Sequence, residues 1–197
     1  MYGTKIKLST TELSLVTNPN FILTKNAVVG KVAALFGLIA SQFAIDINQY
    51  VLPIEAINSI PKIAKGENYQ GLPWLMLDYP RLFGKQDVFA IRVFFWWGNF
   101  ISITLQLSGK YQQAYEQNIM RNLVDNPNNS WQLCCNEDAW QHNFDPNNYK
   151  PFSSFTNHEL ALLPFIKLAK KIPLEQWDNI DIFLQENFKT LLNLLAA

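Results

Sequence analysis

Two apolar runs joined by a short turn constrain this chain more than any other feature. Val88–Trp96 and residues 100–107 consist mostly of β-branched and aromatic residues, and they flank Trp97-Gly98-Asn99. Such residues suit a pleated surface, and Gly-Asn suits a tight connection, so residues 88–107 read as a β-hairpin. With a two-residue loop, even positions of the first strand share a face with odd positions of the second. One face then carries Ala90, Arg92, Phe94 and Trp96 beside Ile101, Ile103, Leu105 and Leu107. The other carries Phe89, Ile91, Val93, Phe95 and Trp97 beside Phe100, Ser102, Thr104 and Gln106. A three-residue loop would scramble this pairing. Neither face is polar enough to be left to water, so the hairpin is expected at the centre of a sheet covered on both sides.

Around it, residues 72–80 read as a short strand placed at a sheet edge by Pro73 and Pro80. Residues 131–135 and 139–144 read as a second hairpin around Asn136-Glu137-Asp138, with Trp140, His142 and Phe144 on one face. Residues 53–66 suggest short helical turns, and 67–71 a polar loop. A helix is expected over about 26–52, with small residues Gly30, Ala34, Gly37, Ser41 and Ala44 in one stripe. Val32, Leu35, Phe36, Ile39, Phe43 and Ile47 lie on its other faces, so it reads as buried on most sides. Lys31, Ser41, Gln42 and Asp46 interrupt it, leaving an apolar core shorter than the ~20 residues of a membrane span.

Lys110–Val124 has helical composition, and Thr156 with Glu159 has the spacing of a capping box. The rest of the C-terminal part reads as helix broken by Pro164 and Pro173. From Asp178 onward, Ile180, Leu184, Phe188, Leu191, Leu192 and Leu195 form one amphipathic stripe. The expectation is a single α+β domain over 1–197. Its small, mostly antiparallel sheet has four to six strands between Leu72 and Phe152, covered by the N-terminal helix and the C-terminal helices.

Charge narrows the function. Sixteen Lys and Arg balance sixteen Asp and Glu, which argues against nucleic acid and against an anionic membrane surface as partners. The two cysteines, Cys134 and Cys135, are adjacent and read as reduced thiols, so a cytoplasmic, soluble protein of bacterial-type composition is expected. Phosphate-loop, dinucleotide, zinc and serine-hydrolase motifs are missing from the sequence, and no metal or cofactor is expected. A Cys134 or Cys135 nucleophile paired with His142 is a formal alternative.

Arg92 stands out as a cation on an apolar strand face. It needs an acceptor: Asp78, Glu67 or Asp87 in an ion pair, solvent at a sheet edge, or an anionic ligand for which its planar fork is an anchor. Trp96, Trp97 and Tyr79 are the accompanying candidates for ligand binding. The first functional reading is a non-catalytic module that binds a small ligand or another protein, with homodimer contact through residues 27–47 as one use of the small-residue stripe. The alternative is a small-molecule enzyme for an anionic substrate, with Arg92 as anchor and His142 or Asp78 as acid or base.

Overall fold

The computed structural model describes residues 6–126 and 129–196. Two helices come first, α1 (Thr10–Val16) and α2 (Pro19–Asp46), followed by the short α3 (Ile54–Ile57). Four strands then run in sequence: β1 (Lys62–Tyr69), β2 (Leu72–Phe83), β3 (Val88–Trp96) and β4 (Phe100–Ser108). After α4 (Lys110–Val124) come β5 (Gln132–Cys134), β6 (Tyr149–Pro151), α5 (Asn157–Ala161), β7 (Ile166–Pro173) and α6 (Ile180–Leu195). The seven strands form one antiparallel sheet in the order β1-β2-β3-β4-β7-β5-β6, and the molecule is an α+β fold.

The hairpin at 88–107 lies inside the sheet, with β3 buried along its whole length and β4 buried up to Ser108. Its loop, however, is Trp97-Gly98-Asn99, because Trp96 pairs with Phe100 and Arg92 with Thr104. Gly98 turns the chain at φ +70°, a conformation glycine adopts without a Cβ clash. Even positions therefore meet even positions. Ala90, Arg92, Phe94 and Trp96 share a face with Phe100, Ser102, Thr104 and Gln106, while the odd positions, all apolar and mostly aliphatic, form the other face.

Three further expectations are corrected. Strand β2 is interior, between β1 and β3, since Pro73 sits near its start and Pro80 falls where the register shifts between Asp78 and Arg81. The edge is instead β1, whose Lys62, Lys65 and Glu67 discourage further pairing, where helical turns and a loop were expected. Residues 166–173 form a strand rather than helix, packed between β4 and β5, so the sheet reaches beyond Phe152 and has seven strands.

The aliphatic face is covered by helices. Leu75 and Leu77 of β2, Phe89 to Phe95 at odd positions of β3, and Leu168 of β7 join Val32, Phe36, Phe43, Ile119, Leu184 and Phe188 in one core. The second face carries Phe94, Trp96 and Phe100, with Tyr69 and Trp74 against them. It also carries the buried polar side chains of Asp78, Arg92, Thr104, Gln106 and Lys167. That face is covered by residues 135–148, an irregular strap from β5 to β6. The expected strand at 139–144 does not exist.

Helix α2 starts at Pro19, with the Asn18 side chain accepting from the Asn20 N–H (3.1 Å). It buries Val32, Phe36, Ile39, Ala40 and Phe43, but Leu38 is 72% and Ile45 61% exposed, so it is not covered on most sides. With its short continuation, residues 19–49 are long and apolar enough to cross a membrane by length and composition: an 18-residue stretch within them has mean hydropathy 1.8 and is 28% buried. Contrary to the expectation from sequence, the polar interruptions do not shorten it below a span.

Candidate functional site

The register brings Asp78 of β2 directly opposite Arg92 of β3, both pointing to the strap side. The guanidinium is held at two points: Nε donates to Asp78 Oδ1 at 2.7 Å and Nη2 to Oδ2 at 3.1 Å. Both residues are buried, at 8% and 7% exposure. The strap supplies His142, whose Nε2 lies 3.4 Å from Arg92 Nη1. A guanidinium only donates, so Nε2 is the acceptor and the imidazole carries its proton on Nδ1. The His142 ring packs on Phe94 at 4.8 Å between centroids, and Phe83 and Trp140 each lie 5.5 Å from the Arg92 carbon.

The strap is tied down at two further points. The backbone N–H groups of His142 and Asn143 both donate to the Tyr69 hydroxyl, at 2.7 and 3.0 Å. Lys167, 1% exposed, reaches up from β7 and donates to the carbonyls of Ala139 (2.8 Å) and Gln141. Phe144 stacks on Tyr149 at 4.7 Å and meets Phe100 edge-on.

Burial dominates the electrostatics. It pushes the His142 imidazole well below its usual 6.5, and the Lys167 and Arg92 cations push it further the same way. It lowers the Lys167 ammonium to about 8, and raises the Tyr149 phenol and the Cys134 thiol. His142 is therefore neutral at neutral pH. Unfolded, it would bind a proton near pH 6.5; folded, it does so only at much lower pH. Its neutral burial thus carries no penalty above about pH 6.5 and an increasing one as the pH falls below that value. Between pH 6 and 5, wild type should therefore lose more stability than His142→Leu. Urea titrations at the two pH values measure this, and parallel losses would contradict a neutral, buried imidazole.

Of the residues singled out from sequence, Arg92, Asp78 and His142 come together. Trp96 shares their face, donating from Nε1 to the Tyr69 carbonyl at 3.2 Å. Tyr79 and Trp97 do not join them. Tyr79 lies on the helical side with its hydroxyl donating to the Ile57 carbonyl (3.3 Å), and Trp97 packs edge-on against Phe95. Both cysteines are free; the Cys134 thiol bonds to Asn148 Oδ1 at 3.5 Å and the half-buried Cys135 contacts the Pro146 carbonyl. Lys167, Tyr69 and Tyr149 were not anticipated. Only the alternation of Lys167 and Ala169 with Ile166 and Leu168 could have pointed to a strand with one polar side.

Among the described residues no group of His, Cys, Asp and Glu could hold a metal ion. Open clefts of about 310, 460 and 640 Å³ lie among the helices and are lined by other residues. The chain matches no protein-family model, no curated protein and no solved structure.

Proposed function

We propose that this chain is a non-catalytic interaction module, cytoplasmic and soluble, whose docking surface is the outward face of α2 and whose occupant is a second copy of the chain. The observation that carries this reading is the apolar surface left open there. Phe21, Ile22, Leu23, Leu38 and Ile45 are all between 48% and 72% exposed, and α1 buries no residue at all. Exposed apolar side chains grouped on one helix are the kind that an interaction site buries.

A second copy fits this surface better than lipid does. Gly30, Ala34, Gly37, Ser41 and Ala44 are spaced four, three, four and three residues apart, the spacing that keeps one seam turned toward a partner helix. A Cβ built at Gly30 or Gly37 meets nothing within 4 Å, so the seam is open to close backbone approach. Antiparallel pairing about Gly37 sets Gly30 against Ala44 and Ile45 of one copy at the level of Val29 of the other, while Leu23 extends toward the partner's residues past the end of α2. A helix of 28 residues is about 42 Å long and 10 Å wide, giving roughly 400 Å² for the seam alone. Residues flanking α2 would supply the rest of the ~800 Å² per partner that stable interfaces bury. A bilayer span would instead strip Val32, Phe36, Ile39 and Phe43 from the sheet and α6.

Light scattering on an eluting column tests this. Wild type should run at twice the chain mass, and Gly37→Glu at the single-chain mass with its thermal stability retained, while Gly37→Ala should remain dimeric. A wild type that is monomeric at tens of micromolar defeats the proposal.

The meeting of Arg92 with His142 favours a second reading, an enzyme for an anionic substrate. In it His142 is the acid or base, and Asp78, with both oxygens engaged, holds the anchor in place.

A further inference from the structure

We propose that the strap at 135–148 closes over a binding site for a small oxyanion, a carboxylate or a phosphate, recognised by Lys167 and by the Nη1 prong of Arg92 that Asp78 does not engage. The site is on the opposite side of the sheet from α2 and does not depend on self-association.

Lys167 is enclosed, yet among the described residues it forms no ion pair; its partners are the Ala139 and Gln141 carbonyls of the strap. Arg92 is neutralised by Asp78. Two enclosed cations thus face one enclosed carboxylate, and a buried ammonium compensated only by dipoles is expensive to maintain. A methionine would fill the same space in β7 without that cost.

Donor geometry shows where the missing negative charge would sit. Asp78 uses Nε and Nη2 of Arg92 and leaves Nη1 with a single long contact, 3.4 Å to His142 Nε2. Lys167 donates to carbonyls that belong to the strap itself. If the strap lifts, Nη1 and the Lys167 ammonium lose these partners together, and His142 leaves with the strap. An oxyanion can then take up both donors, which are the cationic, charge-assisted kind that bind it best.

The strap is built to exchange such contacts. It is a long connection without helix or strand, the kind that serves as a lid in compact domains. Its ties to the sheet are hydrogen bonds to Tyr69, Lys167 and Cys134, the long contact of His142 with Arg92, and ring contacts. Trp140, which covers the guanidinium, is 52% exposed and stands at the edge of the enclosure.

The test is thermal unfolding with increasing inorganic phosphate or acetate at constant ionic strength, on wild type, Lys167→Met and Lys62→Met; Lys62 is an exposed lysine on β1. Saturable stabilisation of wild type and Lys62→Met by at least one anion is expected, with apparent affinity weakened at least tenfold in Lys167→Met. Response to phosphate alone or acetate alone identifies the ligand chemistry. No saturable shift with either anion, or an equal shift in Lys167→Met, overturns the site. Should Lys167→Met fail to fold, amide shifts in wild type decide: changes at 139–143 on titration support the site, and changes confined elsewhere reject it.

Discussion

Replacing Asp78 with leucine is expected to destabilise the protein by about 3–5 kcal/mol, measured as a lower urea midpoint at an unchanged slope. The carboxylate is the anionic partner of a guanidinium that is 8% exposed and enclosed by Phe83, Trp140 and the strap. Without it, Arg92 keeps its charge, because a guanidinium does not deprotonate, and the neutral His142 ring cannot balance that charge. Most of the loss is therefore the penalty of an orphaned cation, not the net worth of the pair. The double variant Asp78→Leu/Arg92→Met should accordingly recover most of the stability, since replacing both partners of a buried pair by apolar groups is often near neutral. A double variant as unstable as the single one would show that the pair does more than satisfy itself.

Phe188→Ala should cost a similar amount, about 3–5 kcal/mol. Phe188 of α6 stacks on Phe43 of α2 with centroids 3.7 Å apart and planes 6° from parallel, and neither ring is exposed. This contact fastens the last helix to the second across the aliphatic side of the sheet. The walls of the resulting hole are secondary-structure elements anchored elsewhere, so little collapse can offset the lost contacts. Denaturant titration measures the loss. A cost below about 1 kcal/mol would mean that the two helices can close the gap.

Much of this architecture was legible in the residues. The composition of residues 88–107 announced a buried hairpin, and the stripe from Ile180 to Leu195 announced a helix packed on one side. The loop length was not legible, because Trp97 has the composition of a strand residue and only pairing shows it to be in the turn. That single residue decides the company Arg92 keeps. A two-residue turn seats it among Ile103 and Leu105, whereas the real one aligns it with Ser102, Thr104 and Gln106 in a polar layer.

The strap was misread for a related reason. Trp140, His142 and Phe144 alternate as they would on a strand, but separate contacts hold them: to Phe83, to Arg92 and to Tyr149. Lysines at 167, 170 and 171 likewise disguised β7, whose long polar side chains reach past their neighbours. Tertiary contacts, which no local pattern carries, fix both segments.

The place of β7 has a consequence for biosynthesis. Strands β1 to β4 follow one another in the chain and can pair as they leave the ribosome, whereas β5 and β6 join the sheet only through β7. Until residue 173 emerges, the long open side of β4 offers its unpaired amides and carbonyls, flanked by isoleucines and leucines, to any neighbouring chain. Nascent chains stalled between residues 110 and 165 should therefore be the most sticky species this polypeptide passes through, and the first to need a chaperone.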